Sequence, residues 1–163
     1  MMRLLPMEPP FLRDVVALEA EIAHSPWSAE MIQDESRLGA WLRVLVAGER
    51  TVAGYAVARP LFDEWHLLTL GVAPRFRRQG LGRQLMEALL VDAVAQGAND
   101  VVLEVRVSNV PARLLYQGVG FVTIGVRRGY YRHGPFGPED ALVMSRPTRL
   151  PESSGGSHKF FLA

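Results

Sequence analysis

Apolar positions along this chain switch between a helical spacing and alternation, and the switches mark its elements. Phe11, Val15, Leu18 and Ile22 fall on one face of a helix predicted over Phe11 to Ala23, after Pro9 and Pro10. In SPWSAEMI, Ser28 is an expected N-cap for a second, short helix. Trp41 to Ala47 and Thr51 to Ala58 are β-rich runs joined at Gly48–Glu49–Arg50, which predicts a hairpin. Glu64 to Val72 reads as another strand, stopped by Pro74. A helical stripe returns over Leu81 to Gln96: Leu81, Leu85, Leu89 and Ala93, backed by Met86 and Leu90, with Glu87 and Asp92 pointing elsewhere. Gly97 ends it, and Asn99–Asp100 turns the chain into a strand from Val101 to Val107. A short helix over Pro111 to Gln117 has Asn109 as its expected cap and Pro111 in the first turn, where a missing N–H costs nothing. Phe121 to Arg128 and Ala141 to Ser145 are the last strands.

This order predicts an α/β (α+β) fold in which helices flank a mixed, largely antiparallel central sheet. Residues 1–146 form a single expected domain. From Pro147 the chain reads PTRLPESSGGSHKFFLA, a composition that predicts a flexible tail over 147–163, with an end from His158 to Ala163 apolar enough to dock. Hydrophobic residues make up 48% and charged residues 21% of the chain, the profile of a soluble globular protein. A net charge of +1 gives no reason to expect direct nucleic-acid binding or broad attraction to a membrane surface. There is no cysteine, so disulfides, zinc–thiolate sites and a cysteine nucleophile are absent, and the four scattered histidines suggest no metal site. The start, MMRLLPMEPP, lacks the apolar core of a signal peptide, and no apolar run reaches membrane-spanning length. These features together predict a cytoplasmic protein.

The stretch RFRRQGLGR lies between a predicted strand and a predicted helix, where a phosphate-binding turn would sit. Gly80 and Gly82 would let successive backbone N–H groups point into one concavity, and the first N–H groups of the following helix are unpaired. An anion laid there would be held mainly by backbone, with Arg77, Arg78 or Arg83 screening its charge. A Walker loop is excluded because Gly82 is followed by Arg83–Gln84, and a dinucleotide fingerprint because Leu85 stands where a third glycine is needed. Solvated arginines at an ordinary helix start are the alternative.

In VVLEVRVSN, Glu104 shares a face with Val102 and Arg106, opposite Val101, Leu103, Val105 and Val107. A carboxylate in mid-strand is either one member of a salt bridge, with Arg106 or across strands, or a general base over a cleft. Tyr116, in ARLLYQGVGF, is either a core tyrosine or a proton donor aimed into the same cleft.

Together these segments resemble the GCN5-related N-acetyltransferase superfamily. LTLGVAPRFRRQGLG looks like its acyl-CoA signature, while LEVRVSNVPARLLYQGVGF, the pair YY and EDALVM resemble the branch of ribosomal-protein-alanine N-acetyltransferases (RimI type). The resemblance covers roughly residues 8 to 146. It implies acetyl-CoA as co-substrate, with no metal. Leu70, Gly71 and Val72 would belong to the strand pairing with the pantetheine arm, and Arg78, Gln79, Gly80, Leu81, Gly82 and Arg83 would cradle the pyrophosphate. Asn109 would contact the cofactor near its thiol end, Glu104 would be the base for the amine, and Tyr116 the acid for the departing thiolate. The implied substrate is the N-terminal alanine of small-subunit ribosomal protein eighteen.

An α-amino group, with pKa about 7.7–8.0, is far easier to deprotonate than a lysine near 10.4, a difference of roughly 3.5 kcal/mol, so one glutamate suits an N-terminal amine better. Three positions depart from the branch: Trp65 and His66, where smaller or acidic residues are usual, and Ser25, which replaces an aromatic. All three are expected near the peptide groove, and Tyr130 and Tyr131 either bind peptide backbone or simply pack. The alternatives are the same fold acting on small-molecule amines or a wider set of N-termini, and a non-catalytic acyl-CoA-binding module.

Overall fold

The computed structural model describes residues 1–149. Seven strands form one sheet, β1 (Met2–Pro6), β2 (Trp41–Ala47), β3 (Thr51–Leu61), β4 (Glu64–Val72), β5 (Asp100–Arg106), β6 (Val122–Tyr131) and β7 (Glu139–Pro147), in the order β1-β2-β3-β4-β5-β7-β6. Every neighbouring pair is antiparallel except β4 with β5. The mixed, largely antiparallel sheet predicted from the pattern is therefore the sheet observed.

Four helices cover its two faces: α1 (Pro9–Ile22), α2 (Ala29–Arg37), α3 (Leu81–Ala95) and α4 (Val110–Gly118). On one face Val15 and Leu18 of α1 and Ile32 of α2 pack on Val44, Val46 and Tyr55. On the other, Leu85, Met86 and Leu89 of α3 pack on Ala56, Trp65 and Leu103, with Tyr116 and Phe121 at one side. The stripes read from the sequence are thus the buried faces. The Ser28 hydroxyl accepts from the Met31 N–H at 3.2 Å, and the Asn109 side chain accepts from the Ala112 N–H at 3.2 Å, so both expected caps form.

Three boundaries move. β1 has no counterpart among the predicted elements; five residues carry too little alternation to stand out, and the strand exists because β2 offers it an edge. β6 runs on to Tyr131, bringing Tyr130 and Tyr131 into the sheet. β7 continues through Pro147, and the Thr148 hydroxyl donates to the Ala98 carbonyl at 2.7 Å, so the ordered chain passes beyond residue 146. The predicted flexible tail from 150 onward, with the apolar end at His158 to Ala163, lies outside the described residues.

The feature that makes a site is between β4 and β5. Their parallel ladder joins Glu64–His66 to Asp100–Val102 and stops there, although β4 continues to Val72 and β5 to Arg106. Just past that point β4 carries a bulge: Leu67 faces Ala58 and Thr69 faces Val57, leaving Leu68 as the extra residue. A bulge bends its strand. The two strands part, and a wedge opens between their C-terminal halves.

Candidate active site

One wall of the wedge is β4. Leu70, Gly71 and Val72 pair with Ala56, Tyr55 and Gly54 of β3 on one edge, while their other edge has no strand partner among the described residues. Half the backbone groups of such a strand point away from its neighbour, so an extended ligand can add itself there as a further strand. Gly71 has a reason beyond that edge: a Cβ there would lie 2.5 Å from the Tyr55 hydroxyl and 2.7 Å from Ile22 Cδ1. The strand is pressed against α1 too closely for any side chain.

Beneath β4 sits a buried carboxylate that the sequence reading passed over. Glu19 of α1 is 2% exposed; it accepts from the Thr69 hydroxyl at 2.6 Å and from the Tyr55 hydroxyl at 3.3 Å. Burial raises its pKa, and these hydrogen bonds only partly counter the shift. The signal was in the pattern, since Glu19 lies four residues after Val15 on the apolar stripe of α1. Thr69 immediately follows the bulge, so this cluster holds β4 where it bends.

From Val72 the chain passes through a 3-10 turn at Pro74–Phe76 into the glycine turn and then α3. Arg78 and Gly80 have left-handed backbones, with φ of 62° and 77°. No acidic residue occupies the first turn of α3, so its free N–H groups keep their positive potential. The three arginines differ. Arg77 donates to the Val72 carbonyl, and Arg83 pairs with Glu87 and reaches the Gly118 carbonyl. Arg78 has no hydrogen bond or ion pair among the described residues. The two glycines differ as well. Gly80 faces open space and is needed for its φ, whereas a Cβ on Gly82 would meet Leu115 Cδ2 at 2.9 Å. Gly82 thus brings α3 and α4 together, a role distinct from the expected one of baring the backbone.

The other wall is β5. Glu104 points away from the α3 core, as its place in the alternation requires, and its side chain is 8% exposed. Of the two salt-bridge alternatives, the pairing with Arg106 does not form and the cross-strand one does. Arg106 bonds Glu139 at 3.3 Å and stacks 4.0 Å from the centre of the Tyr131 ring. Glu104 instead places Oε2 2.5 Å from His66 Nε2 and Oε1 3.7 Å from Arg127 Nη2.

Tyr116 is buried on α4, its ring 6.0 Å from that of Phe121. Burial, and then the nearby Tyr131, push its phenol above the ordinary range, so it keeps its proton. Tyr131 is pushed up to about 12, chiefly by burial, with Arg106 opposing and Glu104 among the groups that add to the rise. Tyr131 is thus within electrostatic reach of both Tyr116 and Glu104, while Tyr116 itself packs in the core beside α3. The Asn109 amide oxygen is committed to the α4 cap.

Of the three departures, expected near the peptide groove, His66 lies against the Glu104 carboxylate. Trp65 is a correction: it is 1% exposed and belongs to the core against α3, because alternation along β4 sends it to the face opposite His66. Ser25 is exposed in the link between α1 and α2. Tyr130 is 46% exposed and meets Tyr131 edge-on at 5.1 Å.

Residues 7–121 match the model of the acetyltransferase (GNAT) family. The chain belongs to that family. A GNAT relative from Salmonella typhimurium, a [ribosomal protein bS18]-alanine N-acetyltransferase, is 36% identical over 132 residues, covering 78% of this chain and 86% of the relative. The crystal structure of the ribosomal-protein-S18-alanine N-acetyltransferase from Escherichia coli superposes with a TM-score of 0.84 at 30% identity, covering 94% of this chain and 97% of that one. Arabidopsis thaliana NAA60, solved in complex with acetyl-CoA, shares the fold at a TM-score of 0.80 and 18% identity, over 90% of this chain and 98% of its own. No helix among the described residues is long and apolar enough to cross a membrane.

Proposed function

We propose that this acetyltransferase moves the acetyl group of acetyl-CoA to the N-terminal alanine of ribosomal protein bS18 in the cytoplasm. The observation that carries the catalytic part is Glu104: a carboxylate 8% exposed, on the wedge side of β5 and in contact with His66. The substrate follows from relatives of this name that match most of the chain.

The unpaired edge of Leu70–Val72 suits the amide groups of pantetheine, which can bond to it as a strand would. Gly80, Leu81 and Gly82 at the start of α3 offer N–H groups to the pyrophosphate, with Arg78, Gln79 and Arg83 around it. When bound, acetyl-CoA supplies an activated thioester carbonyl. Asn109, the cap of α4, would contact acetyl-CoA near its thiol end. Glu104 draws a proton from the incoming α-amine, whose nitrogen then attacks the carbonyl carbon directly. As the carbon–sulfur bond breaks, Tyr116 gives its proton to the sulfur. A phenol raised by burial suits this role because it is fully protonated at neutral pH.

Peptides differing only at their first residue, incubated with acetyl-CoA beside an N-blocked peptide containing lysine, test the proposal. The alanine N-terminus of bS18 is acetylated fastest and the blocked peptide is untouched. Acetylation of the blocked peptide but not of free N-termini overturns the substrate.

A further inference from the structure

We propose that His66 and Glu104 work as one base, with His66 the residue on which the amine's proton comes to rest. The inference rests on the acetyltransfer proposed above and extends it to a residue outside the expected catalytic pair. The geometry is a direct contact: His66 Nε2 lies 2.5 Å from Glu104 Oε2, across the last rung of the β4–β5 ladder before the wedge opens. The two carboxylate oxygens are unequally engaged, since among the described residues Oε1 has only Arg127, at 3.7 Å. The His66 side chain is 23% exposed against 8% for Glu104, so the imidazole has the route to solvent that the carboxylate lacks.

Chemistry supplies the reason. An ordinary carboxylate, near 4.3, lies more than three units below an α-amine at about 7.7–8.0, whereas an ordinary imidazole near 6.5 lies little more than one unit below it. With His66 as the Nδ1–H tautomer, whose Nε2 lone pair faces Glu104, the proton passes from the ammonium to Glu104 Oε2 and on to His66 Nε2. Glu104 is left ionised, the ring becomes an imidazolium, and it discharges to water. The second proton lost by nitrogen after attack balances the one that Tyr116 gives to sulfur. One proton per turnover reaches solvent, as the overall reaction requires.

The surroundings of the pair are charged on every side. Arg59 stands directly opposite His66 on β3 and is bound to Glu35 of α2. Arg106 lies two residues beyond Glu104 on β5, Arg127 and Tyr131 come from β6, and Glu139 comes from β7. Arg59 and Arg106 are each already paired with a carboxylate, which leaves Glu104 as the acid in contact with the ring.

The test uses His66→Gln, which keeps a polar amide beside Glu104 but takes no proton, and His66→Ala with added imidazole. With a Brønsted slope of about one half, the two-unit difference between imidazole and carboxylate is worth about tenfold in rate. Turnover by H66Q is therefore expected to fall about tenfold at pH 7. The deficit shrinks as pH passes the amine's own pKa, because the amine then arrives neutral. KM for acetyl-CoA stays within about twofold, and imidazole restores part of the H66A activity. A deficit that is the same from pH 6 to 9, without imidazole rescue, makes His66 a positioning residue and overturns the inference. So does wild-type turnover in H66Q. If Glu104→Gln abolishes turnover while H66Q keeps it, the base proposal stands and this one falls. Wild-type turnover by E104Q overturns both.

Discussion

Replacing Gly71 by alanine adds one carbon where β4 meets α1, and the result shows how tightly the cofactor strand is set. The new Cβ would lie 2.5 Å from the Tyr55 hydroxyl, 2.6 Å from Cζ of the same ring and 2.7 Å from Ile22 Cδ1. Tyr55 is 1% exposed and hydrogen-bonded to Glu19, so its ring has no free direction. Overpacking of this kind costs about 1–3 kcal/mol. If the ring yields, its bond to the buried Glu19 is lost, for about another 1–3 kcal/mol. Restricting the unfolded chain works the other way, but a glycine-to-alanine change gains only about 0.4–1 kcal/mol. The net loss is about 1–5 kcal/mol, which at about 2–4 °C per kcal/mol lowers Tm by between about 2 and 20 °C. Thermal melts followed by circular dichroism measure it. Gly125→Ala is the control, because nothing lies within 4 Å of its Cβ position. KM for acetyl-CoA is expected to rise in G71A as the strand shifts. A G71A melt within about 2 °C of wild type refutes the argument, since α1 and Tyr55 would then have yielded without cost.

Glu104→Gln should lower kcat about 10²-fold or more while acetyl-CoA binding, followed by calorimetry, stays unchanged. Tyr116→Phe should slow thiol release in a thiol-trapping assay and leave the fold intact; an unchanged rate makes this tyrosine a packing residue alone. For the turn, Gly80→Ala places a side chain at φ 77° and should cost about 1–2 kcal/mol, while Gly82→Ala meets only the flexible tip of Leu115 and should bind acetyl-CoA within a fewfold of wild type. Glu19 has a raised folded-state pKa, so its proton stabilises the fold at low pH and that stability is lost as pH rises through the folded value. The Tm of Glu19→Gln minus that of wild type should therefore grow from pH 5 to pH 8; a difference independent of pH refutes the burial argument.

Periodicity alone placed the helices and nearly all the strands, because each buries one face and burial writes a spacing into the chain. It also set Glu104 on the opposite face from Val101, Leu103 and Val105, and named the turn at Gly80, since local backbone needs are local in sequence. β1 escaped because an edge strand five residues long owes its existence to its neighbour. Only the tertiary structure could decide partners. Arg106, two residues from Glu104, turned to Glu139, whereas His66, thirty-eight residues away in sequence, came to 2.5 Å. Trp65 went into the core, and Glu19 was drawn under β4 to meet Thr69 and Tyr55. A residue's type and spacing record which way it faces. What it then meets is settled by which strands pair, and by where the β4–β5 ladder stops.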